Sequence, residues 1–212
     1  MLRIFSQPNI RKEFPYIVTT AATTTPISID LVKTHLRIPC EGTKEDQYLL
    51  MLIEAVTNYA ERYTKRDFIN KTYTTYRDFF TQSFELRKAA VSSVTSLSYL
   101  VDGVFTAIST SVYGLEITNS FPSIYLKENQ DWPTGLDAVP QAIKIVFVAG
   151  YGASDTSVPS DVKMGLLNHV ALLYENRGDC SCSVENTIPA NTKALYDSIR
   201  IMDLYAPSNP AY

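Results

Sequence analysis

Histidine occurs only twice in these 212 residues, cysteine three times and tryptophan once. A serine or cysteine nucleophile assisted by histidine needs a base and an orienting group, and no nucleophile-elbow motif accompanies His35 or His169. His35 falls near the end of a predicted helix and His169 on or beside an apolar stripe, so both read as structural. The cysteines, Cys40, Cys180 and Cys182, are odd in number, and two are separated by one residue. That is no disulfide framework and points to a reducing compartment. Cys180-Ser-Cys182 with His169 lacks the second pair at C-x(2–4)-C spacing that structural zinc sites use, so no metal is expected. No run of eighteen apolar residues occurs, so no membrane span is predicted. The opening MLRIFSQPNIRKEF has no continuous apolar core of a signal peptide. Neither sign of charge dominates: the net charge is −3, which gives no diffuse basic field for general nucleic-acid binding.

What is present is apolar patterning. An apolar content of 45% over this length predicts one sizeable domain. Tyrosine is frequent at 14 residues, and its apolar body with a polar tip suits half-buried strands and interfaces. The organising stretch is residues 43–68. Thr43-Lys-Glu-Asp46 has the Thr-x-x-acid form of a helix N-cap. Behind it Leu49, Leu52, Ile53, Val56, Tyr59, Ala60 and Tyr63 recur at three- and four-residue steps, one broad stripe of an amphipathic helix. Glu54, Asn58, Glu61, Arg62 and Lys65 are assigned to its water-facing side. About twenty-two residues at about 1.5 Å each span roughly 33 Å, and such a helix needs other helices to cover it.

Residues 1–25 read as a flexible arm, with basic Arg3, Arg11 and Lys12 and a Thr-rich run. Ser28 caps a first helix over 29–36, with Asp30 in its first turn, and Pro39 ends it. From Lys71 the pattern turns to strand formers. Asp102-Gly103 between apolar runs signals a type I′ hairpin, and AIKIVFV at 142–148 is a nearly all-apolar strand. Further helices are expected over 159–176, with Val162, Leu166, Val170, Leu173 and Tyr174 as its stripe, and from about 191 to 205. The predicted fold is α+β: a bundle of about four helices with a small antiparallel β insertion, about 72–149, between the second and third. A single domain would span 26–205 and a tail 206–212.

Gly150-Tyr-Gly152 follows a strand and precedes a helix, where a glycine-rich loop can cradle phosphate. Asp155 stands where a third glycine would be needed and no G-K-[ST] follows, so a tight turn accounts for both glycines. The carboxylates are scattered and form no magnesium cluster. No catalytic residue, cofactor or metal ligand is assigned, and the chain is not read as an enzyme.

Four stretches together resemble the head–tail connector, or adaptor, family of tailed bacteriophages. They are PISIDLVKTHLRI at 26–38 with EDQYLLMLIEAVTNYAERYTKRDFI at 45–69, VSSVTSLSYLVDGVFTAI at 91–108, Trp132-Pro133 through IKIVFVAGYG, and VPSDVKMGLLNHVALLYENR at 158–177. They keep the family's order over roughly residues 26–205. The long N-terminal arm and the Cys180-Ser-Cys182 loop depart from it. The resemblance implies a structural virion protein, assembled in the host cytoplasm. It would form a homo-oligomeric ring, a dodecamer, below the portal. That ring would extend the DNA channel and dock the next neck or tail-completion protein. Double-stranded DNA would pass without sequence-specific binding, in keeping with the mild acidity. Portal contact falls to the C-terminal stretch: Tyr196, Ile199, Arg200, Leu204, Tyr205 and Tyr212. Two other readings compete. One is a small hydrolase or transferase using Cys180, Cys182 or His169; the other is a DNA-binding accessory factor using the basic N-terminal arm.

Overall fold

The computed structural model of the chain describes residues 15–39, 45–118, 121–176 and 188–201. Within them the elements run β1 (Ile17–Thr20), α1 (Ile29–Leu36), α2 (Asp46–Thr64), β2 (Lys71–Arg77), β3 (Ser83–Glu85), β4 (Val91–Val101) and β5 (Val104–Ala107). After these come β6 (Tyr113–Glu116), β7 (Ser123–Leu126), β8 (Ile143–Ala149), a 3-10 turn (Asp155–Ser157), α3 (Ser160–Glu175) and α4 (Ala190–Ile199).

The strands form two antiparallel sheets, ordered β1-β2-β8-β4-β5 and β3-β7-β6. Phe84, Tyr113 and Ile124 from the smaller sheet share one core with Tyr73, Leu97, Ile143, Ile145 and Phe147 from the larger. The strand β8 shows how that core is made. Its sequence is almost wholly apolar, yet burial alternates along it, with Ile143, Ile145, Phe147 and Ala149 pointing inward. The helices make a second core from Leu49, Ile53 and Val56 of α2, Val162, Leu166 and Val170 of α3, and Tyr196 of α4.

This overturns the expectation of a helical bundle with a small β insertion. Among the described residues, eight strands in two sheets have a core of their own beside that of four helices. The insertion looked small because its strands are half-polar, such as VSSVTSLSYLV in β4. Period-two patterns of this kind show one buried face only after strands from distant positions have paired. Residues 17–20, inside the stretch assigned to an arm, form β1: Ile17 pairs with Thr74 and Val18 with Tyr73.

Several local readings match their elements. Ser28 caps α1 by accepting from the Leu31 amide at 3.2 Å. Both Asp102 and Gly103 have positive φ, at 51° and 76°, in the hairpin that joins β4 to β5. The assigned cap of α2 at Thr43 lies outside the described residues, and the described helix starts behind Glu45.

Candidate functional site

The helical and sheet halves meet where α2 ends and β2 begins. Lys65 terminates α2 in the left-handed conformation, after which Phe68 and Ile69 enter the helical core while Tyr73 enters the sheet core. Between them lies Asp67, only 4% exposed. Its Oδ1 accepts from the Tyr73 hydroxyl at 2.8 Å and from Lys71 Nζ at 3.2 Å, and its Oδ2 accepts from Lys88 Nζ at 3.2 Å. Lys88 also donates to the Tyr73 hydroxyl oxygen at 3.1 Å and stands 4.4 Å from that ring's centre. Lys71 pairs with Glu61 Oε2 as well, while Glu61 Oε1 accepts from the Phe68 amide at 2.9 Å. A carboxylate buried this deeply needs such a set of partners.

These contacts set the protonation preferences of the junction. Burial by itself would lower the Lys71 pKa, but hydrogen bonds and attraction from Glu61 and Asp67 outweigh it and hold the ammonium above the ordinary lysine value. Burial first, then the charge of Asp67, pushes the Tyr73 phenol far above the ordinary tyrosine value. At neutral pH the tyrosine is a fixed donor and the lysine a fixed cation.

Along the solvent side of this network runs an open groove of about 820 Å³, bordered by Ala55, Asn58, Arg62 and Lys65 of α2 and by Arg87 and Lys88 from the β3–β4 connection. No spacing rule in the sequence unites residues 55–65 with 87–88. Arg62 and Lys65 were legible only as members of a solvated helix face.

The helix α4 is tied to the same end of α2. The Ile201 amide donates to the Thr64 carbonyl at 3.1 Å, Arg66 Nε donates to the Ile199 carbonyl at 2.6 Å, and the Tyr63 hydroxyl donates to Asp197. Hydrogen bonds from Lys193, then from Tyr63, hold the Asp197 carboxyl below the usual range. Of the residues assigned to portal contact, Tyr196 is fully buried, Ile199 is half-buried, and Arg200 is exposed with its guanidinium 4.8 Å from the Tyr63 ring centre. Leu204, Tyr205 and Tyr212 lie outside the described residues, as do Cys40, Cys180, Cys182 and the basic residues of the arm.

His169 is buried beside Tyr59, with ring centres 5.4 Å apart and planes at 90°, and its Nδ1 lies 3.5 Å from the Tyr196 hydroxyl. His35 is on the surface of α1, so the two histidines are not brought together. The glycines of Gly150-Tyr-Gly152 serve packing: a Cβ at Gly150 would stand 2.6 Å from the Asn70 amide nitrogen, and the Asn70 amide donates to the Gly152 carbonyl at 2.9 Å. Among the described residues no group of acidic, histidine or cysteine side chains could hold a metal ion, and no helix is long and apolar enough to cross a membrane.

The five-stranded sheet presents two uncharged edges. Ile17 and Val18 on β1 and Val104 and Phe105 on β5 are exposed, and these two strands are the outermost members of that sheet. Neither carries a charged residue or proline of the kind that usually guards an edge.

Residues 26–102 match the family described as Phage gp6-like head-tail connector protein, so the likeness to head–tail connectors holds over that stretch. Among solved structures, a chain from "Neck of empty GTA particle computed with C6 symmetry" is 23% identical with a TM-score of 0.71, covering 89% of this chain and 96% of its own. A chain from "Virion of native gene transfer agent (GTA) particle" is 24% identical with the same TM-score, covering 88% and 95%. A third, from "Neck of native GTA particle computed with C12 symmetry", is 22% identical with a TM-score of 0.67, covering 90% and 96%. At these identities the likeness shows a shared fold. No curated protein matches the chain.

Proposed function

We propose that this protein is a structural head–tail connector of a virion neck, not an enzyme, and that copies of it close into a ring below a portal. The observation that carries this reading is the match of residues 26–102 to the connector family. A fold shared over about nine-tenths of the chain with proteins of particle necks supports it. The two exposed, uncharged edges of the larger sheet favour self-association: they lie on opposite sides of one sheet, and a ring needs two different surfaces that meet head to tail. The neck structures computed with sixfold and twelvefold symmetry favour a dodecamer.

In this reading the ring extends the DNA channel, passes duplex DNA without reading its sequence, and offers its far side to the next neck or tail protein. Portal contact falls to the end of α4 and the residues that follow: Ile199, Arg200, Leu204, Tyr205 and Tyr212. Tyr196, buried against α3, contributes by holding α4 in place rather than by touching the portal.

Co-expression with the portal protein of the same genome, followed by sizing and negative-stain imaging, tests the reading. A co-migrating complex with an added ring on the portal is the expected result. Failure to associate at low salt and high concentration would overturn it. Removal of residues 202–212 should weaken that complex while leaving the thermal unfolding midpoint of the free chain unchanged.

A further inference from the structure

We propose that the groove between α2 and the β3–β4 connection is a docking site for a short acidic segment of a partner protein. Its lining carries five cations, Arg62, Lys65, Lys71, Arg87 and Lys88, against two carboxylates, Glu61 and Asp67. Those two carboxylates are already satisfied from within by Lys71, Lys88, Tyr73 and the Phe68 amide. The positive excess therefore rests on the outer cations. Arg62 Nε donates to the carbonyl of Asn58 one turn back, at 3.2 Å, and makes no ion pair among the described residues. Lys65 makes no ion pair among the described residues. Arg87 is already engaged, by the exposed Glu85 at 3.3 Å among other contacts, so the charge available to a ligand is that of Arg62 and Lys65. All of this occurs on a chain whose overall charge is −3.

The dimensions suit a peptide strand. Ala55, Asn58 and Arg62 follow each other at steps of three and four residues, so they line one side of α2, and Lys65 borders the groove just past its end. Ten residues of helix rise about 15 Å, the length of four or five residues of extended chain at about 3.3 Å each. The net charge of −3 supplies no extended basic field of the kind that holds a nucleic acid backbone, so the local cluster fits a short acidic peptide better than a duplex. The seam network also keeps its lysines rigid, so the cations deeper in the groove are held in place before any ligand arrives. This site stands whether or not the protein forms a ring.

Binding of a fluorescently labelled hexaglutamate peptide to the full chain at low salt tests the proposal. The double variant R62E/K65E should raise its Kd by about tenfold or more. The variant R37E/K127E, with the same change of charge at exposed positions elsewhere, should leave Kd within about twofold. Both leave Lys71 and Lys88 in place, and equal thermal midpoints will verify that the fold is intact. Equal losses in the two variants would overturn the site. So would a short DNA duplex that displaces the peptide and binds the unmodified protein more tightly.

Discussion

Tyr196 of α4 packs its ring against the bare backbone of Gly165 in α3: a Cβ added there would stand 2.9 Å from Tyr196 Cε1. The ring is fully buried, with Tyr63 and His169 beside it, so it has no open space to swing into. The missing side chain on α3 thus sets how closely α4 approaches. Because Ile201 then bonds to the end of α2, it also sets where the C-terminal residues leave the helical half.

Gly165→Ala should therefore destabilise the protein despite the better helix former. Alanine gains about 1 kcal/mol of helix propensity, whereas overpacking a core costs about 1–3 kcal/mol. The expected net effect is a loss of up to about 2 kcal/mol. Urea unfolding measures it, and a gain in stability would show that α4 yields freely.

Asp67→Ala removes the one carboxylate shared by Lys71, Lys88 and Tyr73. Breaking a buried charged network by taking away one partner costs about 3–5 kcal/mol. Glu61 remains to hold Lys71, which places the expected loss near the lower figure. The same urea experiment on Arg62→Ala, exposed on the groove rim, should show a change within about 0.5 kcal/mol.

Alkaline pH should open the junction. The folded state raises the pKa of both Lys71 and Tyr73, so it binds their protons more tightly than the unfolded chain does. Their contribution is complete below the ordinary values of 10.0 for tyrosine and 10.5 for lysine, and is lost as pH rises through the folded values. Thermal midpoints should be level near neutrality and fall above about pH 10. In Tyr73→Phe the decline should be shallower, because one of the two shifted groups no longer titrates.

At the β4–β5 hairpin, Gly103 has φ of 76° with nothing within 4 Å of an added Cβ. Its amide and that of Asp102 donate to the Asp137 carboxylate at 3.0 and 3.2 Å. Gly103→Ala thus meets no clash, only the left-handed backbone cost of about 1–2 kcal/mol. A loss of that size in urea unfolding is expected, and Asp137→Ala alone should cost less, because the two amides it frees are exposed to water.

Sequence alone determined the features whose cause lies within a few residues. The stripe Leu49, Leu52, Ile53, Val56 and Ala60 is buried as its spacing predicts, Ser28 caps α1, and Asp102-Gly103 turns the hairpin because both positions accept positive φ. Tertiary structure decided the rest. The weight of the sheets depends on which strands pair, and β8 lies between β2 and β4, which are themselves separated by two helix-free loops and a strand of the other sheet. Tyr196 was assigned to portal contact from the resemblance of its C-terminal stretch, and the space at Gly165, thirty-one positions earlier, lets it be buried instead. The groove follows the same logic. Charged side chains at 62, 65, 71 and 88 carry no common period, and their shared field exists only because the chain reverses through β2 and β3 to bring them to one seam.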